Sequence, residues 1–309
     1  MMESPLVSIV CATYNHEPYL ARALDGFLMQ ETTFPIEIIL AEDCSTDGTR
    51  QVIEDWLDVN VEERQEGNLY LLKNGMLLRY IWSENNVGAT ANEKRAMAAA
   101  SGKYIAFCEG DDYWIDSKKL QKQVDFLEEN PEYVVCFARC KHYDVESASW
   151  KNDNCECLFR SGNTVADVTS ELLFSRWYTQ PLTMMFVKEV YDLDWYDHYK
   201  YFRDLQQIFL LLQRGKGCIL NFDSGVRLIH DGGMASQDTR RQTNEKLSLV
   251  MEELYRDYPK DVNVRRYYAF LLQEVLYLCG HFERIKFSYA WKLLRVDGNI
   301  RHFFRNVMR

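Results

Sequence analysis

The acidic run Glu109-Gly110-Asp111-Asp112 offers the clearest chemistry in this sequence. Its carboxylates can hold a hard divalent cation through oxygen ligands. A cation held in this way can bridge two phosphate groups and neutralise a diphosphate that leaves. An exposed acidic turn would show the same pattern, and short motifs of this kind often arise by chance. The run by itself therefore leaves a metal and diphosphate site and a plain turn equally open.

The elements that lead to this run alternate between strands and helices. Four apolar runs have the length and composition of strands buried on both faces: residues 6–10, 36–40, 77–82 and 104–107. Segments with helical spacing of apolar residues lie between them, and the first begins near Pro18. This order predicts an α/β fold, in which helices flank a mostly parallel sheet.

Polar residues follow three of these strands, at the point where each strand ends. They are Thr13-Tyr14-Asn15, Glu42-Asp43, and the acidic run itself. Ligands of parallel sheets bind beyond the carboxyl ends of the strands. We therefore expect three separate segments of the chain to converge on one edge of the sheet and to form a binding site there.

The second half of the chain is less regular and ends in helices. Strand-like runs occur at 133–137, 182–187 and 218–222, and Asp204 opens a helix between the last two. From about residue 240 the apolar spacing is helical throughout. We therefore divide the chain into a body at 1–238, with halves at 1–115 and 116–238, and a helical C-terminal extension at 239–309.

Composition limits the classes of function. The chain has 309 residues, 47% of them hydrophobic, and a net charge of -10, which argues against a protein that grips nucleic acid. The first residues do not resemble a signal peptide, and no apolar run is long enough to span a membrane. The nine cysteines, several of them in strand-like runs, suggest a reducing, cytoplasmic compartment. A zinc site made from Cys136, Cys140, Cys155 and Cys157 would fit the usual ligand spacing poorly.

The C-terminal tail differs in charge from the acidic body. Between Arg284 and Arg309 seven Lys or Arg residues accompany a single acid, Asp297, and aromatic residues lie among them. Basic and aromatic residues mixed on helices suit peripheral contact with anionic lipid, here at the inner face of the membrane. A basic helix docked on the acidic body would explain the same pattern, and both interpretations stay open.

Five motifs, in a fixed order along the chain, indicate a family. They are Pro5-Leu6-Val7-Ser8-Ile9-Val10, Thr13-Tyr14-Asn15, Glu42-Asp43-Cys44-Ser45-Thr46-Asp47-Gly48-Thr49, Asn85-Asn86-Val87-Gly88, and Glu109-Gly110-Asp111-Asp112-Tyr113-Trp114. In order and spacing they closely resemble glycosyltransferase family 2, strongly over residues 5–140 and weakly to about 236. The resemblance implies a GT-A fold of Rossmann-like type, a nucleotide-sugar donor, Mg²⁺ or Mn²⁺, and inversion at the anomeric carbon. It makes 1–115 the nucleotide-sugar-binding half and 116–238 the acceptor-binding half of a catalytic domain.

The resemblance also assigns nucleotide-binding roles by position. The residues concerned are Thr13, Tyr14, Asn15, Glu17, Asp43, Asn86, Gly88, Lys94 and Asp111. Asp43 matches the aspartate that contacts the base, where a carboxylate can accept a hydrogen bond from a uracil-type N–H. Ordinary turn chemistry is the alternative for Tyr14, Asn15 and Gly88. A solvated helical face is the alternative for Lys94 or its neighbour Arg95, and we expect Ser45 and Asp47 to cap the next helix.

The same comparison assigns the metal and the chemistry. Asp111 matches the main metal ligand, Asp112 supports it, and Glu109 stands where the usual family form has an aspartate. Asp204 matches the acidic residue that would act as general base, although a helix N-terminus also favours an acid for its dipole. Arg227 and His230 resemble the segment Tyr-Arg-x-x-His, whose members would bind diphosphate or acceptor, with His230 also a metal ligand; a lone histidine is more often structural.

The sequence therefore predicts an inverting glycosyltransferase of hexosyltransferase type. Its donor would be a nucleotide-sugar, with UDP favoured as the family's commonest base, and its acceptor a saccharide or lipid-linked sugar in cell-surface polysaccharide or glycolipid synthesis. A sugar-nucleotide nucleotidyltransferase would need a glycine-rich phosphate loop after the first strand, and residues 11–16 contain no glycine. A degenerate relative that only binds carbohydrate or a partner is the other alternative.

Overall fold

The computed structural model describes residues 4–152, 155–233, 238–279 and 285–298. Within these ranges twelve strands form one sheet. The strands are β1 (Val7–Thr13), β2 (Ile36–Glu42), β3 (Val61–Gln65), β4 (Leu69–Leu72), β5 (Leu77–Trp82), β6 (Tyr104–Phe107), β7 (Tyr113–Trp114), β8 (Tyr133–Asp144), β9 (Ser149–Lys151), β10 (Val165–Val168), β11 (Met185–Val187) and β12 (Lys216–Ile229). The helices are α1 (Leu20–Leu28), α2 (Thr49–Asn60), α3 (Ala89–Ala99), α4 (Lys119–Glu129), α5 (Ser170–Ser175), α6 (Trp195–His198), α7 (Asp204–Leu212), α8 (Arg240–Asp257), α9 (Val262–Leu278) and α10 (Ile285–Asp297).

The order of the strands explains where a site can form. The main path of the sheet is β10-β12-β8-β11-β6-β1-β2-β5-β4-β3, while β7 pairs with β12 and β9 with β8. At its centre β6, β1, β2 and β5 run parallel, and β8 and β12 form a second parallel pair. The direction of winding reverses at β1, because β2 lies on one side of it and β6 on the other. Parallel sheets bind ligands in the crevice beyond such a reversal.

Alternation along the central strand places helices on both faces of the sheet. In β1 the side chains of Val7, Ile9 and Cys11 join one apolar cluster, whereas Val10 joins the other. This is the period of two expected for an extended chain. Residues of α1, α2 and α4 complete the first cluster, and residues of α3, α7, α8 and α9 complete the second. The predicted fold, helices around a mostly parallel sheet, is confirmed.

The C-terminal helices α8, α9 and α10 confirm the predicted helical end of the chain. Val250, Met251 and Leu254 of α8 lie in the same buried cluster as Ile208 and Phe209 of α7. The body and the extension therefore share one apolar core, and the boundary at residue 238 stays a prediction. In the described ranges no helix is both long and apolar enough to cross a membrane.

Part of the basic tail lies outside the described residues. The predicted contributors in that part are Arg284, Arg301, Phe303, Phe304, Arg305 and Arg309. Among the described side chains of α10, Phe287, Trp291 and Arg295 are exposed, Lys292 is half-buried and Tyr289 is buried.

Two local features differ from the sequence-based expectation. The antiparallel pair β3–β4 at the edge of the sheet was not predicted, because the charged middle of β3 shows no apolar alternation; charged side chains are common on edge strands. The expected cap at Ser45 is wrong, because α2 begins at Thr49. There Asp47 Oδ1 accepts hydrogen bonds from the Thr49 N–H and hydroxyl at 3.0 and 2.6 Å, which confirms Asp47 as the residue that stabilises the helix start.

Candidate active site

Hydrogen bonds link the two loops at the ends of β1 and β2. The Asn15 N–H donates to Ser45 Oγ at 2.9 Å, and Asn15 Oδ1 accepts from the Thr46 N–H at 2.8 Å. Glu17 Oε2 accepts from the Gly48 N–H at 2.8 Å. Asn15 has a φ of 55°, a left-handed conformation that asparagine tolerates better than most residues. Asn15 and Glu17 therefore shape this rim of the site, and their predicted contact with the nucleotide stays a prediction.

Asp43 fixes the turn that precedes α3. Only 2% of it is exposed, and its two carboxylate oxygens accept the N–H groups of Val87 and Gly88, each at 2.8 Å. Asn86 Oδ1 also accepts from the Gly88 N–H, at 3.0 Å. Gly88 has a φ of 87°, which favours glycine at this position. The structure thus brings Asp43, Asn86 and Gly88 together as predicted neighbours, with Asp43 as the anchor of the turn.

The acidic run follows β6 and gathers its three carboxylates. Oxygen atoms of Glu109, Asp111 and Asp112 all lie within 4.8 Å of one another. Asp112 is buried, and its Oδ1 accepts the Leu228 N–H of β12 at 2.8 Å. Glu109 is exposed toward solvent. Asp111 Oδ1 is buried and has no hydrogen-bond partner among the described residues, so one carboxylate oxygen is left to a group from outside the chain.

Two histidines flank Asp111. His230 Nε2 lies 3.3 Å from Asp111 Oδ2, and His16 Nε2 lies 3.7 Å from the same oxygen. His16 Nδ1 is 3.2 Å from Thr13 Oγ1, and the ring of Tyr19 lies 4.5 Å from that of His230. The sequence predicted His230 here but missed His16. Its position three residues after Thr13, in the loop that follows β1, was the available signal.

Gly110 lets the acidic run lie directly on the β1 loop. A Cβ atom at this position would lie 2.7 Å from Thr13 Oγ1, 2.9 Å from His16 Nδ1 and 3.0 Å from Leu20 Cδ1. Thr13 is the last residue of β1, and His16 lies in the loop that follows it, beside Asp111. A side chain here would therefore displace the carboxylates from the histidines.

The pKa values of the three carboxylates are shifted in different directions. The Glu109 side chain opens to solvent, but the protein packed around the cleft disfavours its charge, and the charges of Asp111 and Asp204 add to this effect, so the pKa of Glu109 is raised. Burial and then Asp111 raise the pKa of Asp112 in the same way. Burial also acts on Asp111, but the hydrogen bond from His230 and the nearby histidine charges hold its pKa below the ordinary value. Such mutual repulsion is relieved by a bound cation, which favours all three groups in the ionised form.

Asp204, which belongs to the second half of the chain, lies near this cluster. It is the first residue of α7, and burial raises its pKa, against the effects of the helix backbone and of Arg203 and Arg227. Arg227, on β12, also lowers the pKa of Asp112. The guanidinium of Arg227 therefore influences both the acidic run and Asp204, and the structure brings these predicted residues together.

Glu93 of α3 is a second acid beside Asp204 that the sequence did not indicate. Its Oε1 accepts the Tyr196 hydroxyl at 2.7 Å and Gln207 Nε2 at 3.4 Å. Burial, with a contribution from Asp204, raises the pKa of Glu93 to about 7. Nothing in the spacing of α3 distinguishes it from a solvated glutamate, so only the packing against α6 and α7 identifies it.

The remaining predicted residues lie at the rim. Both carboxylate oxygens of Asp197 accept Lys94 Nζ at 2.7 Å, and Tyr14 is 39% exposed. A groove of about 300 Å³ runs between α3 and α6, lined by residues 87–91, Lys94, Tyr196 and Asp197. The predicted role of Lys94 toward phosphate stays a prediction, because its ammonium group is already paired.

The chemistry of the donor set fits a divalent cation. Hard cations prefer carboxylate oxygens, and Asp111 Oδ1 offers one that is buried and unpartnered. Within the described residues, the acidic run is the one cluster of this kind. An ordered acidic cluster beside a cationic side chain and a separate buried acid can bind a metal–diphosphate group and accept a proton next to it.

Comparison with known proteins agrees with this arrangement. The sequence profile of Glycosyl transferase family 2 matches residues 8–186. The uncharacterized protein Rv1520 of Mycobacterium tuberculosis is 36% identical over 203 residues, which are 63% of this chain and 53% of that protein. The putative teichuronic acid biosynthesis glycosyltransferase TuaG of Bacillus subtilis is 32% identical over 125 residues, 40% of this chain and 43% of that one. The UDP-Glc:alpha-D-GlcNAc-diphosphoundecaprenol beta-1,3-glucosyltransferase WfaP of Escherichia coli is 32% identical over 123 residues, 40% and 41% of the two chains. The chain thus spans about half the length of these curated relatives.

Two solved structures are similar over nearly the whole chain. S. aureus TarS 1-349 in complex with UDP superposes with a TM-score of 0.60 at 18% identity, over 98% of this chain and 88% of that one. The mannosyltransferase PcManGT from Pyrobaculum calidifontis, in complex with GDP-Man and Mn²⁺, gives 0.56 at 15% identity, over 99% and 84%. At these identities the likeness establishes the fold. By its sequence motifs, its match to the family profile and its architecture, the chain belongs to glycosyltransferase family 2 and has the GT-A fold.

Proposed function

We propose that this chain is an inverting glycosyltransferase that moves a sugar from a nucleotide-sugar to a hydroxyl of a saccharide or lipid-linked acceptor. The observation that carries the proposal is the buried, unpartnered Oδ1 of Asp111 within a cluster of three carboxylates. This cluster follows β6, next to the strand β1 at which the sheet reverses, and Asp204 and Arg227 lie close enough to influence it. Such an arrangement suits a charged leaving group on one side and a proton acceptor on the other.

The acidic run would hold the cation. Glu109, Asp111 and Asp112 are the oxygen ligands, and His230 either joins them through Nε2 or orients Asp111 through the same atom. A bound Mg²⁺ or Mn²⁺ supplies charge neutralisation at the diphosphate that leaves. Mn²⁺ in the PcManGT complex supports the choice of ion. The His16 ring lies beside the same carboxylate oxygen of Asp111, with Nε2 at 3.7 Å, and its positively charged form favours ionised Asp111.

Asp204 would act as the general base. Inversion requires one displacement, in which the acceptor oxygen bonds to the anomeric carbon while the bond to the diphosphate oxygen breaks. Asp204 takes the proton of the acceptor hydroxyl in that step. Burial raises the pKa of its carboxyl and so increases its basicity, while Arg227 favours the ionised form. Arg227 also supplies a positive charge for the diphosphate or the acceptor.

The donor and the acceptor are proposed from the residues of the site and from the names of similar proteins. Asp43, with the loops at the ends of β1 and β2, would bind the base and ribose. A UDP-sugar is favoured, because TarS was solved with UDP and the name of WfaP specifies UDP-Glc. The names of TuaG and WfaP refer to teichuronic acid and to a diphosphoundecaprenol acceptor, which supports a role in cell-surface polysaccharide or glycolipid synthesis.

Cytoplasmic placement with peripheral contact to the inner membrane face completes the proposal. Phe287 and Trp291 are 61% and 54% exposed, and Arg295 follows at the same helical spacing on α10. Aromatic and basic side chains in one stripe suit the surface of an anionic bilayer. Full-length protein with both Phe287→Ser and Trp291→Ser should float less with phosphatidylglycerol vesicles than the wild type or Tyr277→Ser, a control at an exposed tyrosine of α9. Equal flotation of all three would contradict membrane contact through α10.

Two substitutions test the catalytic proposal. Thermal unfolding with UDP-sugars, with and without Mn²⁺, reports donor and metal binding by mass action, and release of UDP reports turnover. We expect Asp111→Asn to lose both the Mn²⁺-dependent stabilisation and UDP release. Asp204→Asn should keep the stabilisation while UDP release falls about 100-fold or more, the usual contribution of a general base.

Asp116→Asn is the control for these two substitutions. Asp116→Asn removes a nearby acid that pairs with Lys122 rather than facing the cluster, and it should leave both readouts unchanged. Full Mn²⁺-dependent stabilisation in Asp111→Asn would show the metal assignment to be wrong. Undiminished UDP release in Asp204→Asn would do the same for the base.

A further inference from the structure

Glu253 of α8 binds the loop that leads to Asp204. One of its carboxylate oxygens accepts the Lys200 N–H at 3.0 Å, and the other accepts the Tyr201 N–H at 3.1 Å. Hydrogen bonds from backbone N–H groups to a carboxylate are among the stronger ones in proteins. A helix from the C-terminal end of the chain therefore holds two successive amides, three and four residues before the proposed base.

Gln206 extends this contact to the start of α7. Its Oε1 accepts the N–H of Arg203, the residue before Asp204, at 3.1 Å. Its Nε2 lies 3.5 Å from both Glu253 Oε2 and the carbonyl oxygen of Val250 on α8. The side chain is fully buried, so its partners are fixed by packing. The first turn of α7 is thus linked to α8 through a short polar chain.

Packing around the loop leaves it little freedom. Tyr199 and Phe202, at 3% and 4% exposure, lie in the same apolar cluster as Leu254 of α8. At the start of the loop His198 Nε2 is 2.6 Å from Asp257 Oδ2 at the end of α8. In contrast to these side-chain contacts, the two bonds to Glu253 act on the backbone of the loop itself.

We propose that Glu253 is a positioning residue for the general base, holding loop 200–203 through two backbone amides and so setting the place of Asp204 at the site. The inference rests on the proposed function, in which Asp204 takes the proton of the acceptor. Reacting groups must stay close to their productive geometry, and a displacement of about 1 Å can lower a rate about 100-fold. The C-terminal helices thereby contribute to the reaction as well as to the core.

The test uses the full chain and a neighbouring control. Glu253→Gln keeps the size of the side chain and one acceptor oxygen, whereas Glu253→Ala removes both acceptors. Glu252→Gln is the matched control, because Glu252 lies next to Glu253 on α8 but pairs with Lys292 of α10 at 2.7 Å. Amide hydrogen exchange at residues 200–207 reports the hold on the loop. UDP release as a function of donor concentration, with Mn²⁺ present, separates kcat from KM.

The expected result is a graded loss confined to kcat. Glu253→Gln should speed amide exchange at Lys200 and Tyr201 and lower kcat about tenfold, and Glu253→Ala should lower it toward 100-fold. The KM for the donor and the Mn²⁺-dependent thermal stabilisation should match the wild type in both. Glu252→Gln should match the wild type in every readout.

Several outcomes would overturn the inference. Unchanged exchange at Lys200 and Tyr201 in Glu253→Gln would show that this carboxylate does not hold the loop. Faster exchange with an unchanged kcat, or an equal loss of kcat in Glu252→Gln, would show that the hold does not position a catalytic group. If Glu253→Ala fails to fold, the isosteric Glu253→Gln still decides. Failure of the proposed function is separate, because it appears as undiminished UDP release in Asp204→Asn.

Discussion

Lys119 allows a test of how much a buried charge destabilises this fold. It is fully buried, its Nζ donates to Gln123 Oε1 at 2.7 Å, and the ammonium lies 4.1 Å from the centre of the Trp114 ring. Burial lowers the pKa of Lys119 from 10.5 to about 8, although the Cys136 and Cys108 thiols and Asp116 act in the opposite direction. We predict that Lys119→Met removes a destabilising charge from the core.

The magnitude follows from the lowered pKa. A change from 10.5 to about 8 corresponds to about 3 kcal/mol, at 1.36 kcal/mol per pKa unit. Below pH 8 the lysine is protonated in the folded and the unfolded chain, so the full penalty applies. Between pH 8 and 10.5 the unfolded chain binds more protons at this site, so the free energy of unfolding of the wild type rises with pH. Above 10.5 the penalty is gone.

The assay is the difference between variants, because other groups titrate in the same range. Denaturant unfolding of wild type and Lys119→Met between pH 7 and 10.5 gives this difference at each pH. The advantage of Lys119→Met over the wild type should shrink by up to about 3 kcal/mol across the window. Lys118→Met, at a half-exposed lysine paired with Glu31, should show a difference below about 1 kcal/mol throughout. A constant difference for Lys119→Met from pH 7 to 10.5 would refute the reasoning.

Two further predictions concern the site itself. Burial and Asp204 raise the pKa of Glu93 to about 7, so its contribution to the free energy of unfolding should fall by up to about 3 kcal/mol as the pH rises from 4.5 to 7, and the difference between the wild type and Glu93→Gln should change by that amount. Unfolding at pH 4.5, 6 and 7.5 measures it, and parallel curves for the two proteins would contradict the buried acid. Gly110→Ala places a Cβ within 2.7 Å of Thr13 Oγ1 and 2.9 Å of His16 Nδ1, so it should cost about 1–3 kcal/mol and weaken the Mn²⁺-dependent stabilisation. Normal Mn²⁺ response in a folded Gly110→Ala would show that the close approach does not matter.

Much of the central sheet could be predicted from the sequence, because its signals are local. Apolar runs over β1, β2, β5 and β6 have the composition of doubly buried strands, and the polar residues at their ends follow directly along the chain. The rule that parallel strands end at one edge then predicts which loops meet. Edge strand β3 carries charges instead of an apolar pattern, so the same reasoning could not find it.

Local patterns also misjudged some roles, because one residue type serves several. Ser45 looks like a helix cap in the sequence, but its hydroxyl accepts the Asn15 N–H from a different loop. Lys94 shows that a partner can also escape sequence reasoning: Asp197, far along the chain, pairs with it, while its predicted role toward phosphate stays a prediction. Both partners depend on how loops and helices pack against each other, which no short window of sequence records.

The sequence by itself determined the alternating strands and helices of the central sheet, the acidic run and its neighbours at the strand ends, and the resemblance that indicated the family. Those properties depend on residues adjacent in the chain. Only the tertiary structure decided that His16 flanks Asp111, that Glu93 lies beside Asp204, and that Glu253 holds the loop before it. Burial and long-range hydrogen bonds create these roles, and both exist only once distant segments are packed together.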